Sequence, residues 1–131
     1  MAVTPAELAA VPLFASLSEA DLTEIAGWFE EEHVSEGVKV AGEGAPGYSF
    51  FVIVEGTAVV TVDGTELRTL GPGDFFGEVA LLDGGRRTAS VITTAPARLL
   101  VLFGTEFRKL QQSRPDIAVQ LEAAVTERVE G

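Results

Sequence analysis

A short run in the middle of the chain combines glycines, one carboxylate and two arginines in an order suited to binding an anion. The run extends from Phe76 to Val91 and reads F-G-E-V-A-L-L-D-G-G-R-R-T-A-S-V. Gly77 has no Cβ, so its N–H and the N–H groups that follow can approach a ligand closely. Residues 79–83 are long enough for one helical turn, and the N-terminus of a helix offers unpaired N–H groups and a partial positive charge to an anion.

Two charged residues of this run suit different parts of one ligand. Arg87 carries a planar fork of donors that matches phosphate oxygens two at a time. Glu78 is only an acceptor when it is ionised, which makes it a poor partner for phosphate and a good one for sugar hydroxyl groups. The run therefore predicts a site for a phosphate and a sugar.

The same run resembles the phosphate-binding cassette of the cyclic nucleotide-binding domain family. That cassette has the form F-G-E-x-A-L, then a few variable residues, then R-[A/S/T]-A-[T/S]-V, and the chain fits it without a gap. The part from Gly85 to Val91 is most similar to the version found in cyclic nucleotide-regulated ion channels. The resemblance implies a regulatory module that binds a cyclic nucleotide and is not an enzyme.

The resemblance also implies a role for each matching position. The N–H groups of Gly77 and Ala80 would bind the cyclic phosphate, and Glu78 would bind the ribose 2′-OH. Arg87 would bind the exocyclic phosphate oxygens, and Thr88 the phosphate or the base. The full set of expected ligand-binding residues is Phe76, Gly77, Glu78, Val79, Ala80, Arg87, Thr88, Ala89, Val60, Leu70 and Arg128.

The expected ligand is cyclic AMP in preference to cyclic GMP. Val60 and Leu70 would form an apolar wall beside the base, and such a wall carries little information about which base is bound. Thr88 offers a hydroxyl that could meet the 2-amino group of guanine, so cyclic GMP remains an alternative. Arg68 stands where an apolar side chain is more typical of the family, and the sequence leaves open whether Arg68 or Arg86 contacts the ligand.

Three regions of the chain differ in hydrophobic period. Residues 1–33 show helical spacing, residues 34–103 are strand-like with many turn residues, and residues 104–131 return to helical spacing. This pattern predicts a single domain, 1–131, that is mainly β with flanking helices. The short strands favour an antiparallel jelly-roll barrel, and the resemblance implies that the C-terminal helices correspond to the family's B and C helices.

Helix signals occur at both ends of the chain. Ser18, with Asp21 three residues later, is a weak capping box, and residues 11–17 are similar to a short apolar element of the family that packs on the barrel. Trp28 is expected to cover the flank of the barrel. The helical spacing of the N-terminal region is carried by Leu22, Ile25, Ala26 and Phe29.

Two helices are expected after the strands. Thr105 would cap the first, which runs to about Gln112, and Pro115 would lie in the first turn of the second. In the family the second helix is the lid over the base, and Arg128 lies near its end. One face of this helix is apolar and consists of Ile117, Leu121, Ala124 and Val125.

Short apolar runs between turn residues predict the strands. Asp63-Gly64 is a two-residue hairpin signal, and Leu67 and Leu70 alternate with polar residues before the turn at 71–73. The other expected strands cover residues 50–54, 58–62, 88–94 and 98–103.

The composition fits one globular domain that does not bind nucleic acid. The chain has 131 residues, of which 47% are hydrophobic, and this size is sufficient for a substantial core. Its 20 acidic and 9 basic residues give a formal net charge of −11, so the overall field opposes DNA or RNA. The chain contains no cysteine and no apolar stretch long enough for a membrane span, and a cytoplasmic location is expected.

Several other classes of function lack the residues they need. A cupin-type metalloenzyme needs several histidines, whereas His33 is the only one and is expected to lie before the barrel. No Ser-His-Asp or Cys-His set can be assembled. The main alternative is a structural or dimerisation module that has the fold without a ligand. The sensor half of a transcription regulator is a further alternative, in which the effector lies elsewhere. The oligomeric state and the effector stay open.

Overall fold

The computed structural model describes residues 3–42, 49–77 and 89–130, with side chains through residue 127. The helices are α1 (Pro5–Ala9), a 3₁₀ helix (Pro12–Phe14), α2 (Glu19–Ala26), α3 (Gly104–Ser113) and α4 (Pro115–Glu130). The strands are β1 (Glu30–Val34), β2 (Lys39–Ala41), β3 (Ser49–Glu55), β4 (Ala58–Val62), β5 (Thr65–Leu70), β6 (Phe75–Phe76), β7 (Ser90–Thr93) and β8 (Ala97–Phe103).

The strands form two four-stranded sheets in which every described pairing is antiparallel. One sheet has the order β1-β8-β3-β6 and the other β2-β7-β4-β5. Consecutive strands thus alternate between the sheets, as in a jelly roll, except that β4 and β5 form a hairpin within the second sheet. The predicted fold class is confirmed, although within the described residues the two sheets are not joined into one closed barrel.

Side chains along the central strands alternate between the two faces of the first sheet, and this alternation divides the core into two parts. In β8, Leu99 and Val101 face the second sheet, whereas Leu100 and Leu102 face the helices. The interior cluster, between the sheets, consists of Ala41, Phe51, Ile53, Ala58, Val60, Leu70, Phe76, Val91, Ala97, Leu99 and Val101. The outer cluster, on the helix side of the first sheet, includes Leu8, Phe14, Ile25, Phe50, Leu100, Phe107, Leu110, Ile117, Leu121 and Val125.

The N-terminal segment folds as its capping signals predict. The Ser18 hydroxyl accepts a hydrogen bond from the N–H of Asp21 at 3.1 Å, so α2 begins at the expected place. Pro12 starts the 3₁₀ helix, which buries Leu13 and Phe14. Trp28 is partly buried against the outer cluster. These short helices therefore cover the outer face of the first sheet.

The predicted helical character of residues 1–33 is wrong at its end. The last helix of this region ends at Ala26, and residues from Glu30 to Val34 form an edge strand that pairs with β8. His33 therefore lies in the sheet, opposite Arg98, and not before the barrel. The strand has few apolar side chains because it lies at the edge and is mostly exposed, so its sequence shows no burial pattern.

Two other expected element boundaries differ from the structure. The first C-terminal helix begins at Gly104, directly after β8, and its cap position is Phe103 with no side-chain hydrogen bond, so Thr105 is not the cap. Strand β7 covers only Ser90–Thr93, within the expected range of 88–94. β8 continues without a loop into the helix, and main-chain continuity, not a capping side chain, sets the helix start.

The hairpin predicted at Asp63-Gly64 is confirmed. Both residues have positive φ, 51° and 78°, which is the backbone of a tight turn between twisted strands. Farther along the hairpin the register shifts, because Val60 pairs with Arg68 while Thr61 pairs with Glu66. The extra residue makes a bulge on β5. None of the helices in the described ranges is long and apolar enough to cross a membrane.

Candidate ligand-binding site

The beginning of the cassette is held at the edge of the interior cluster. The Phe76 ring stacks on Phe51 with centroids 4.8 Å apart and ring planes 10° apart, while Phe75 packs on the opposite face of the sheet against Phe50. Gly77 follows with φ of +80°, a conformation that L side chains rarely adopt. The paired phenylalanines thus position the glycine at which the chain leaves the sheet.

A tight turn before β6 sets the approach to the cassette. The Asp74 carboxylate accepts a hydrogen bond from the N–H of Gly71 at 2.8 Å. The N–H of Gly73 donates to the carbonyl of Ile53, and the N–H of Ile53 donates to the carbonyl of Asp74. The entrance to the cassette is therefore anchored on β3, in the middle of the first sheet.

The chain returns from the cassette to the second sheet. Ala89 packs against the interior cluster, and Val91 pairs with Val60 on β4. Thr93 then secures β7, because its hydroxyl donates to the carbonyl of Ser35 at 2.6 Å and accepts from the N–H of Val38 at 2.9 Å. Both ends of the cassette therefore meet the same apolar interior.

The structure brings together part of the predicted ligand-binding set. Phe76, Val60 and Leu70 are buried in the interior cluster, with Ala89 packed against it and Gly77 at its edge. These residues come from three strands and two loops. The expected positions of Glu78, Val79, Ala80, Arg87 and Thr88, and the side chain of Arg128, lie outside the described residues.

Arg68 lies on the same face of its sheet as the predicted wall. It pairs directly with Val60, and cross-strand partners project from the same side of a sheet. Leu70, two residues later, pairs with Ala58, and both are buried in the interior cluster. Arg68 itself is exposed. The register therefore places Arg68 at the margin of the interior cluster, beside the residue expected to contact the base.

The apolar face of α4 packs away from that interior. Its Ile117, Leu121 and Val125 are buried in the outer cluster with the N-terminal helices, and Ala124 is partly buried against it. The first sheet separates this cluster from the interior one. The expected apolar face of the helix is confirmed, and in this structure it packs on the N-terminal segment and not on the wall predicted for the base.

One partly buried arginine ties the N-terminal helix to the first sheet. Arg98 Nε donates to Glu31 Oε2 at 2.6 Å, and its Nη2 lies 2.5 Å from Glu7 Oε2. His33 Nε2 lies 3.0 Å from the other oxygen of Glu31. Hydrogen bonds from Arg98 and then His33 hold the pKa of the Glu31 carboxyl below its ordinary value. The group thus joins α1, β1 and β8 outside the predicted site.

A second arginine lies where α3 meets α4. The Arg114 guanidinium binds Asp116 through Nε at 3.2 Å and Nη2 at 3.0 Å, and Nη2 also donates to Asp21 Oδ1 at 3.1 Å. Glu24 Oε1 lies 3.8 Å from Nη1. The Arg114 hydrogen bonds lower the pKa of Asp116 and thus favour its ionised form.

The family model described as the cyclic nucleotide-binding domain matches residues 31–114. This range contains the strands of both sheets and the whole predicted cassette. The chain belongs to the cyclic nucleotide-binding domain family.

Curated relatives agree with that assignment. A cyclic nucleotide-gated potassium channel of Rhizobium etli is 37% identical over 121 residues, which are 92% of this chain and 34% of the channel. The cGMP-dependent protein kinase isozyme 1 of Drosophila melanogaster is 40% identical over 111 residues, 79% of this chain and 14% of the kinase. The chain therefore spans about a third or less of these relatives.

A solved structure of similar size shows the same fold. A putative cyclic nucleotide-binding protein from Geobacter metallireducens superposes with a TM-score of 0.86 at 24% identity, over 97% of this chain and 96% of that one. The jelly roll with its flanking helices is thus the fold of this cyclic nucleotide-binding domain.

The two arginine-centred networks of this cyclic nucleotide-binding domain were not predicted from its sequence. Arg98 and Glu31 are 67 positions apart, and Arg114 and Asp21 are 93 apart. Spacing along the chain carries no signal for pairs so distant. The one visible hint was an arginine inside an apolar run, at the start of β8.

Proposed function

We propose that this chain is a cyclic nucleotide sensor that binds its ligand between the two sheets. The observation that carries the proposal is the placement of Gly77 and Ala89, the described ends of the cassette, at the interior cluster that contains Val60 and Leu70. A ligand held by the cassette would place its base against that apolar surface. The apolar interior and the polar residues of the cassette together fit a molecule with an apolar base and an anionic phosphate.

The polar contacts follow from the chemistry of each proposed side chain. The N–H groups of Gly77 and Ala80 would donate to the cyclic phosphate, and Arg87 would donate two hydrogen bonds to its exocyclic oxygens. Glu78 would accept from the ribose 2′-OH. Thr88 would donate to the phosphate or the base. No step of this scheme makes or breaks a covalent bond, so the proposed role is regulatory and not catalytic.

Isothermal titration of the chain with cyclic AMP and with cyclic GMP tests this function directly. We expect saturable binding of one nucleotide per chain and no binding of 5′-AMP at the same concentrations, because the open phosphate lacks the cyclic geometry. Absence of heat with both cyclic nucleotides would favour the alternative, a structural or dimerisation module with the same fold. Sedimentation of the same sample then measures whether the chain dimerises.

Glu78→Gln is expected to weaken binding of the cyclic ribonucleotide and to leave binding of its 2′-deoxy analogue nearly unchanged. The substitution keeps the size of the side chain and one acceptor but removes the charge. A hydrogen bond to a charged group contributes about 1.5 to 3 kcal/mol, so the loss is roughly ten- to a hundredfold. Titration of both proteins with both ligands forms a double-mutant cycle. Equal losses for the two ligands would assign Glu78 to the fold instead of the sugar.

Which base the site selects is a separate question, and the position of Arg68 favours a second candidate, cyclic GMP. Preference for cyclic AMP, expected from the sequence, stays a prediction. A guanidinium is only a donor, and it matches the O6 and N7 acceptors of guanine, whereas adenine presents an amino group at its 6 position. Because the register places Arg68 beside Val60 at the margin of the interior, this observation supports cyclic GMP.

Arg68→Ala distinguishes the two candidates. If guanine is recognised, affinity for cyclic GMP falls by roughly five- to a hundredfold, the range for one bidentate contact to a base, and affinity for cyclic AMP changes little. Lys39→Ala is the matched control, because Lys39 pairs with Ile92 on the opposite face of the same sheet. Titration of the three proteins with both nucleotides measures the effect. Equal small changes for the two ligands would remove Arg68 from base selection and favour the cyclic AMP sensor.

We propose that a movement of α4 transmits ligand binding to an effector. The helix would leave the outer cluster and close over the bound base, with Arg128 reaching the purine, and a ligand shifts this balance only by its differential contact with the two arrangements. The named relatives are a channel and a protein kinase, each much longer than this chain. An effector in another domain or polypeptide, including a transcription regulator, is therefore part of the proposal, as is a cytoplasmic location.

A further inference from the structure

A single residue joins α3 and α4. Arg114 ends α3, where its N–H donates to the carbonyl of Leu110 at 2.7 Å, and its own carbonyl accepts from the N–H groups of Ile117 and Ala118 in the first turn of α4. Its backbone angles, φ −139° and ψ 69°, are not helical. The two helices therefore meet at one point where their relative orientation can change by rotation about few bonds.

The side chain of this joint residue reaches a third helix. Asp116, in α4, holds the guanidinium by two hydrogen bonds, and the same guanidinium donates to Asp21 in the first turn of α2. Asp21 has only 18% of its side chain exposed and Arg114 has 35%, so water screens this pair less than a fully exposed one. The beginning of α4 is thereby tied to the N-terminal segment by a charged bridge.

The charged bridge and the apolar face of α4 both hold this helix on the N-terminal segment. Ile117, Leu121 and Val125 are buried in the outer cluster, on the side of the first sheet that faces away from the interior. A movement of α4 toward the ligand must separate this face from the N-terminal helices. That movement also separates Asp116, at the start of α4, from Asp21 in α2, and these two carboxylates share the Arg114 guanidinium.

We propose that the ion pair between Arg114 and Asp21, supported by Glu24, is a latch that holds α4 on the N-terminal segment and lowers the affinity for cyclic nucleotide. This inference rests on the proposed function, in which α4 closes over the bound base. A ligand that binds only the released arrangement binds with an apparent affinity reduced by the fraction of chains in that arrangement. The latch lowers that fraction.

The latch shifts the equilibrium between the docked and the released arrangement of α4, but it does not determine that equilibrium alone. The apolar face contributes the larger share of the docking energy, because three of its side chains are almost completely buried. Ion pairs that are partly exposed contribute modestly, which corresponds to roughly a two- to fivefold change in an equilibrium constant. Release of the latch should therefore raise affinity by about that factor while the fold remains intact.

Asp21→Asn tests the latch, with Glu19→Gln as its matched control. Both substitutions remove one negative charge from the first turn of α2, but only Asp21 bonds Arg114. The Asp21 N–H that bonds Ser18 belongs to the backbone, so the cap of the helix is kept. Hydrogen exchange of residues 116–127 without ligand, and titration with cyclic AMP and cyclic GMP, are measured on all three proteins.

We expect faster exchange in α4 of Asp21→Asn than in the control, and tighter binding of the preferred nucleotide by about two- to fivefold. Exchange equal to that of Glu19→Gln overturns the latch, whatever the nucleotide does. Faster exchange with unchanged affinity overturns its control of binding. Wild-type chain that binds neither nucleotide overturns the proposed function instead, and the exchange comparison still decides whether the ion pair holds the helix.

Discussion

Arg87→Ala is expected to weaken cyclic nucleotide binding by about ten- to a hundredfold, since a hydrogen bond to a charged group contributes roughly 1.5 to 3 kcal/mol. The substitution removes the proposed bidentate contact and leaves a phosphate with too few donors. The effect matters more here than in a neutral protein, because the chain carries a net charge of −11 and the overall field already disfavours an anion. Isothermal titration measures the loss.

Arg86→Ala is the matched control for that measurement. It removes an equal charge from the adjacent position and has no assigned contact, so we expect a smaller loss of affinity. A decrease of less than about threefold for Arg87→Ala, below the roughly tenfold minimum of a charged contact, would contradict the assigned role. Equal decreases for the two variants would mean that the arginines act only through the local potential.

Gly56→Ala is expected to destabilise the fold by about 2 to 5 kcal/mol, from the combined costs of a left-handed backbone and of overpacking. Gly56 follows β3 with φ of +92°. A Cβ at this position would lie 2.4 Å from the carbonyl oxygen of Pro96 and 2.7 Å from Cα of Ala97. Both obstacles are backbone atoms, one in the β7–β8 connection and one at the start of β8, so no rotation of a side chain can relieve the contact. Urea denaturation measures the change.

Gly64→Ala provides the control for backbone conformation alone. Gly64 has a similar φ of +78°, but a Cβ there would meet nothing within 4 Å. We expect a loss of about 1 to 2 kcal/mol, the cost of the left-handed conformation without a steric contact. If the two variants lose equal stability, the close approach at Pro96 does not constrain the fold.

Local signals predicted those parts of the fold whose causes lie within a few residues. The cap at Ser18, the hairpin at Asp63-Gly64 and strand β4 (Ala58–Val62) occur where the sequence placed them. The edge strand Glu30–Val34 was missed because main-chain pairing with β8 forms it, and that pairing leaves no mark on an exposed, charged segment. The start of α3 at Gly104 was missed for a similar reason, since the preceding strand sets it.

By itself the sequence determined the family, the jelly-roll class and the cassette from Phe76 to Val91, because contiguous residues of defined chemistry carry all three. Only the tertiary structure decided which face of the second sheet Arg68 occupies and on which cluster α4 packs. The first depends on a one-residue bulge in β5, which changes the side from which every later side chain projects. The second depends on contacts between segments about a hundred positions apart. An apolar stripe in the sequence shows that one face of a helix is buried, but it does not show which segment covers that face.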